Sequence, residues 1–179
     1  MLSPKIPEIR VWITFLEGLH SSAKNNVSVR NLVARVVRRV LDSYPQIFVG
    51  SKLMTIGLDA SFWNQDPKLA SLILERIAKE PLTSYNPLNS IGDYSVTNMH
   101  QAKVPFRLLK KSLEMCLRTS DTNSAQSILK SLDKIGDPYP LGVKSELYAI
   151  VLICHAKGKD AENAKKILQM MIENKLKPR

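Results

Sequence analysis

One short pattern occurs three times in this chain, and it restricts the fold more than any other feature. Asp66 to Leu74, Asp121 to Leu129 and Asp160 to Leu168 each read Asp, three residues, Ala, two residues, Ile-Leu. Every part has a physical use. An Asp ahead of a helix accepts hydrogen bonds from the free N–H groups of the first turn. Pro67 stands at the first helical position, where a missing N–H costs nothing. The Ala is small enough for a neighbouring helix to approach closely, and the Ile-Leu pair then faces a core. Each copy follows another apolar segment of helical period, so the unit reads as a helix hairpin. The step from Asp66 to Asp121 is longer than that from Asp121 to Asp160, by about the length of a proline-containing insertion.

The rest of the chain agrees with an all-α fold. Apolar residues recur at i, i+3 and i+4 in Glu8 to Ser21, through Ile9, Trp12, Ile13, Leu16 and Leu19. Val29 to Tyr44 is rich in valine, which raises the question of a strand. Its length, its period and the grouping of Arg35, Arg38 and Arg39 favour a helix, ended by Pro45. Six more helices are expected at Ser51 to Leu58, Pro67 to Lys79, Pro105 to Arg118, Ser124 to Lys134, Ser145 to Lys157 and Ala161 to Asn174. No convincing strand pair is present. Pro81 to Val104, with Pro87 and Gly92, is long for a loop in a compact helical domain and reads as a functional insertion or a mobile segment. Gly136 to Pro140 is a shorter breaker cluster.

Composition narrows the function classes. The 26 Lys+Arg residues against 16 Asp+Glu leave a formal charge of +10, which attracts polyanions and nucleic acid above all. Two cysteines exclude a disulfide scaffold and suit a reducing compartment. No stretch reaches the roughly 18 apolar residues of a membrane span, so a soluble chain is expected. Met1 to Glu8, with Pro4, Pro7 and an early acid, matches neither a signal peptide nor an Arg-rich transit peptide; a removed presequence and a fragment are both compatible with it.

The last copy extends over 145–179. It carries Tyr148 near its start, Lys157-Gly158-Lys159 at the turn, Ala164 on the second helix, Met171 near that helix's end and Leu176-Lys177-Pro178 at the exit. This segment resembles a pentatricopeptide repeat. Weaker copies lie at 51–85 and 106–144, an insertion at 86–105 separates them, and 1–50 forms a degenerate N-terminal pair. There Pro7 to Trp12 resembles the exit of one repeat and the start of the next. The resemblance implies a right-handed α-α superhelix of about four hairpins whose first helices line a groove. A tetratricopeptide array would lack the Lys-Pro exit.

The same resemblance implies a non-catalytic module that binds single-stranded RNA in a mitochondrion or plastid, serving RNA processing, stability or translation. No cofactor is implied. In the family, the fifth and last residues of a repeat read a base. Here these are Thr55 with Tyr85, Lys110 with Pro140, and Ala149 with Arg179. Only Thr55 is a typical fifth residue, so contacts to the RNA backbone are the firmer expectation. Lys157 matches the family's phosphate-contacting lysine, and Arg118 is its counterpart one repeat earlier. Lys111, Arg35, Arg38 and Arg39 complete the expected backbone set, and Arg30, with Lys24 nearby, belongs to the same dense basic surface. Trp12, Trp63, Tyr85 and Tyr94 offer faces for base stacking, although Trp12 lies on a core stripe. The rival class is a protein-interaction scaffold or ribosome-associated subunit, whose partners are other proteins of an organellar RNA or ribosomal complex.

Other chemistries lack carriers. Cys116 and Cys154 lie mid-helix among apolar residues, His155 occupies a different face, and no metal-ligand spacing exists. Gly136 to Ser145 has the wrong spacing for a phosphate loop, and two prolines remove backbone donors. Asn26-Val27-Ser28 is a formal glycosylation sequon in a cytosol-like context. No nucleophile has a base partner, and no carboxylate cluster suits a two-metal nuclease.

Overall fold

A computed structural model of the chain describes residues 9–45, 50–79, 104–135 and 139–177. These residues form eight helices and no strand: α1 (Ile9–Ala23), α2 (Val27–Ser43), α3 (Ser51–Trp63), α4 (Pro67–Lys79), α5 (Phe106–Thr119), α6 (Thr122–Ile135), α7 (Leu141–Lys157) and α8 (Ala161–Glu173). The protein is all-α over this range. Apart from Val104, the segment expected as a long loop lies outside the described residues, as do Tyr85, Tyr94, Gly136 and Arg179.

The three Asp copies share the main features of their turns. Each is preceded by one residue in the left-handed region: Gln65 at φ 50°, Ser120 at 54° and Lys159 at 57°. The Asp N–H then reaches back to a carbonyl of the preceding helix, Asp66 to Ser61, Asp121 to Cys116 and Asp160 to His155, at 2.9–3.0 Å. This is the Schellman closure of a helix C-terminus. The same Asp caps the next helix: its Oδ1 accepts from the N–H of Leu69, Ser124 or Asn163 at 3.0, 3.0 and 3.2 Å. One residue thus closes one helix and opens the next, which forces a tight reversal. A further copy of the closure follows α8, where Lys175 has φ 54° and Leu176 N–H bonds the Met171 carbonyl.

The valine-rich α2 is a helix because Val33, Val37, Val40 and Leu41 all fall on one buried stripe. Burial along a period of 3.6 outweighs the strand preference of β-branched residues. Asn26 caps α2 by accepting from Ser28 N–H at 3.0 Å, so the sequon asparagine has a structural use. Two helices run well past the bounds that periodicity indicates. α3 continues past Leu58 because Asp59, which interrupts the apolar run, is taken up by His20 of α1 at 3.0 Å. Buried Ala60, Ser61 and Phe62 then carry it to Trp63. α7 starts at Leu141 because Pro140, with φ −57°, presents its carbonyl to the N–H groups of Val143 and Lys144.

Pairs α1–α2, α3–α4, α5–α6 and α7–α8 are in contact, and extensive contacts otherwise join neighbouring pairs. α1 packs on α3, α3 on α5 and α5 on α7, while α4 packs on α6. The core runs through all four pairs, from Leu16 and Leu41 through Leu58, Ile73 and Leu113 to Val151 and Met171. Glycine permits one of the close approaches. A Cβ at Gly57 of α3 would stand 2.5 Å from Ile73 Cδ1 of α4 and 3.4 Å from Val37 Cγ1 of α2. No helix of the described residues is long and apolar enough to cross a membrane.

Candidate nucleic-acid interface

The expected base-reading residues fall on first helices. Thr55 is exposed on α3, Lys110 is half-buried on α5 and Ala149 is half-buried on α7. Pro140 is exposed and caps α7, while Arg179 lies outside the described residues. Lys110 is not free to read a base. Its ammonium bonds the Glu146 carboxylate of α7 and stands 3.9 Å from Glu114. The hydrogen bond to Glu146, and then its charge, raise the Lys110 pKa above its ordinary value. Ala149 is on the same helix as Glu146 and has no hydrogen-bonding side chain.

First helices are tied to each other by further side-chain contacts. Glu17 of α1 meets Lys52 of α3 at 2.7 Å, and His20 meets Asp59. Lys111 of α5 places its ammonium 4.1 Å from the centroid of Phe62 on α3. These partners lie far apart in sequence, and no local signal announces them. Glu17 and Glu146 thereby offset the charges of Lys52 and Lys110.

The cations expected to hold a backbone divide into two groups. Arg118 and Lys157 stand in the last turns of α5 and α7, exposed and without a partner among the described residues. The turn after α7 packs on the start of α6, since a Cβ at Gly158 would lie 2.7 Å from Thr122 Cγ2. The two turns are therefore side by side, and Arg118 and Lys157 emerge at one edge of the helix stack. Lys159 is exposed in the same turn. Arg35 and Arg39 are exposed on α2, again with no described partner.

Arg38 departs from that expectation. It bonds the Asp66 carboxylate across the junction between hairpins, because its place on α2 turns it towards the start of α4. Arg30 likewise donates to the carbonyls of Ala23 and Lys24 and lies over the Trp63 ring at 5.5 Å. The basic face of α2 is therefore reduced to Arg35 and Arg39. Trp63 is also stacked by His20 at 5.2 Å, so both an imidazole and a guanidinium already occupy its ring. Trp12 is half-buried and packs against the core.

The sulfur and imidazole groups are interior. Cys116 and Cys154 are buried, and burial pushes the Cys116 thiol up to about 12, with Cys154 and Asp121 adding to the rise. Burial also raises Cys154, followed by the nearby Asp121 charge. His155 is buried beside Cys154 along the chain but engages Asp160, Nδ1 to Oδ2 at 2.9 Å. Among the described residues no group of three metal-ligating side chains comes together. Comparison with protein-family models, curated proteins and solved structures found no match to this chain.

Proposed function

We propose that this chain is a non-catalytic pentatricopeptide-type superhelix that binds single-stranded RNA chiefly through its phosphates, in organellar RNA processing, stability or translation. The observation that carries this reading is the placement of Arg118 and Lys157. They occupy equivalent ends of two first helices, reach solvent at one edge and have no described partner. The formal charge of +10 supports a polyanionic ligand. The ion-paired Lys110 and the methyl side chain of Ala149 argue against base-by-base readout at those repeats. Organellar location follows from the family resemblance of 145–179 alone.

The test is affinity for single-stranded RNA as a function of salt. The reading expects binding at low salt that falls steeply at moderate salt, with little preference among sequences. A second reading has its own support. The pairs Glu17–Lys52 and Lys110–Glu146 offset two lysine charges on first helices, which suits a protein-interaction scaffold or ribosome-associated subunit holding a peptide or helix. Absence of RNA binding at low salt favours that class.

A further inference from the structure

Two lysines of this chain are held by a carboxylate in the same way, but in different places. Lys166 pairs with Glu162, one turn earlier on α8, at 2.7 Å, and both side chains are well exposed. Lys110 pairs with Glu146 across the α5–α7 contact, so its partner comes from the neighbouring first helix. In each case the hydrogen bond to the glutamate, and then the glutamate charge, raises the lysine pKa above its ordinary value.

The core does not require the Lys110 pair. Lys110 and Glu146 keep 38% and 41% of their side-chain surface in water. An ion pair that wet adds little to folding. Glu114, 3.9 Å from the Lys110 ammonium, is the poorer partner. It follows the lysine by four residues, and the favourable order on a helix is the reverse. Glu146 therefore decides whether the Lys110 ammonium is available to an anion from solution. Its place on α7 gives that a consequence. Glu146 and Lys157 are about three turns apart and within about 20° of each other around the helix. A carboxylate thus stands in line with one of the two cations that emerge at the edge of the stack.

We propose that Glu146 withholds Lys110 from RNA phosphates and so confines the grip on a strand to the edge where Arg118 and Lys157 emerge. The inference rests on the RNA reading above. Its chemistry is competition between two anions for one ammonium. The carboxylate is tethered beside Lys110, whereas a phosphate arrives from solution and is repelled by the carboxylate charge. Glu146 is a selectivity residue in this sense: it removes a phosphate contact that the sequence alone would grant.

Affinity for an unstructured oligouridylate, measured against salt, tests it. Glu146→Gln keeps the size of the side chain and removes its charge. It is expected to tighten binding at low salt and to steepen the slope of log affinity against log salt by ~0.7, one further contact. Lys110→Gln alone is expected to leave the slope at the wild-type value. Adding Lys110→Gln to Glu146→Gln is expected to return the slope to that value. Glu162→Gln makes the same charge change and releases Lys166 on a second helix, and its slope is expected to match wild type. Glu146→Ala takes the place of Glu146→Gln if far-UV circular dichroism of the latter departs from wild type. If wild type binds RNA and Glu146→Gln binds with the same slope, this inference falls and the RNA reading stands. An equal gain from Glu162→Gln overturns it too, since net charge alone then accounts for the effect, as does a shallower slope for Lys110→Gln alone. No RNA binding by wild type at low salt sinks the RNA reading and this inference with it.

Discussion

Gly158 lies so close to Thr122 that a Cβ on it would stand 2.7 Å from the threonine Cγ2. The backbone at Gly158 is ordinary, with φ −72°. The glycine is thus required by the neighbouring hairpin and not by its own turn, whose left-handed residue is Lys159.

Gly158→Ala is therefore expected to cost about 1–2 kcal/mol of stability by overpacking. Thr122→Ser removes the opposing methyl group and is expected to restore most of that loss in the double variant. Gly18→Ala supplies the contrast: on an exposed face of α1 with open space around it, alanine is expected to add up to ~1 kcal/mol through helix propensity. Urea unfolding midpoints of the four variants check all three statements.

The Asp caps make a second prediction. Asp121→Ala removes the bond to Ser124 N–H and is expected to cost about 1 kcal/mol. Asp66→Ala removes the cap on Leu69 and also the Arg38 partner, so its cost is expected to be larger. Asp66→Asn keeps a capping oxygen while removing the charge, and should fall between wild type and Asp66→Ala. The measurement is again chemical unfolding, read as the order of midpoints.

Asp160 gives the fold an acid-sensitive component. Its carboxylate is held below its ordinary value of 3.8, first by hydrogen bonds from the Asn163 side chain and backbone, with His155 contributing as well. A carboxylate with a lowered folded-state pKa stabilises the fold fully above its unfolded value, and that stabilisation is lost as pH falls through the folded value. Relative to Asp160→Asn, wild type should lose stability as pH drops from about 6 to about 2. Parallel pH profiles for the two proteins would contradict the account.

Thiol chemistry is expected to be silent in the folded state. With Cys116 pushed up to about 12 and Cys154 also raised, both are neutral near pH 7, and both are buried. An aromatic disulfide reagent should label neither cysteine in native protein and both after unfolding. Rapid native labelling of Cys116 would show that the α5–α7 junction opens.

What the chain made legible was local. The Asp–Ala–Ile–Leu copies announced themselves because cap, small residue and core pair lie within one or two helical turns. The helix start at Pro67 was readable for the same reason. The extension of α3 beyond Leu58 was not, because Asp59 looks like an interruption until His20 is placed beside it. The fates of Lys110 and Arg38 were hidden likewise. Their partners Glu146 and Asp66 come from neighbouring hairpins, and the register between hairpins is set by packing that no short pattern encodes.

The most direct test of the proposed function is the salt slope of RNA affinity with Arg118 and Lys157 neutralised together. If both hold phosphates of a single strand, Arg118→Gln/Lys157→Gln should reduce the slope of log affinity against log salt by about 1.4, at ~0.7 per contact. Binding at low salt should weaken equally for unrelated RNA sequences. A slope unchanged from wild type, or no RNA binding by wild type at low salt, would contradict the account.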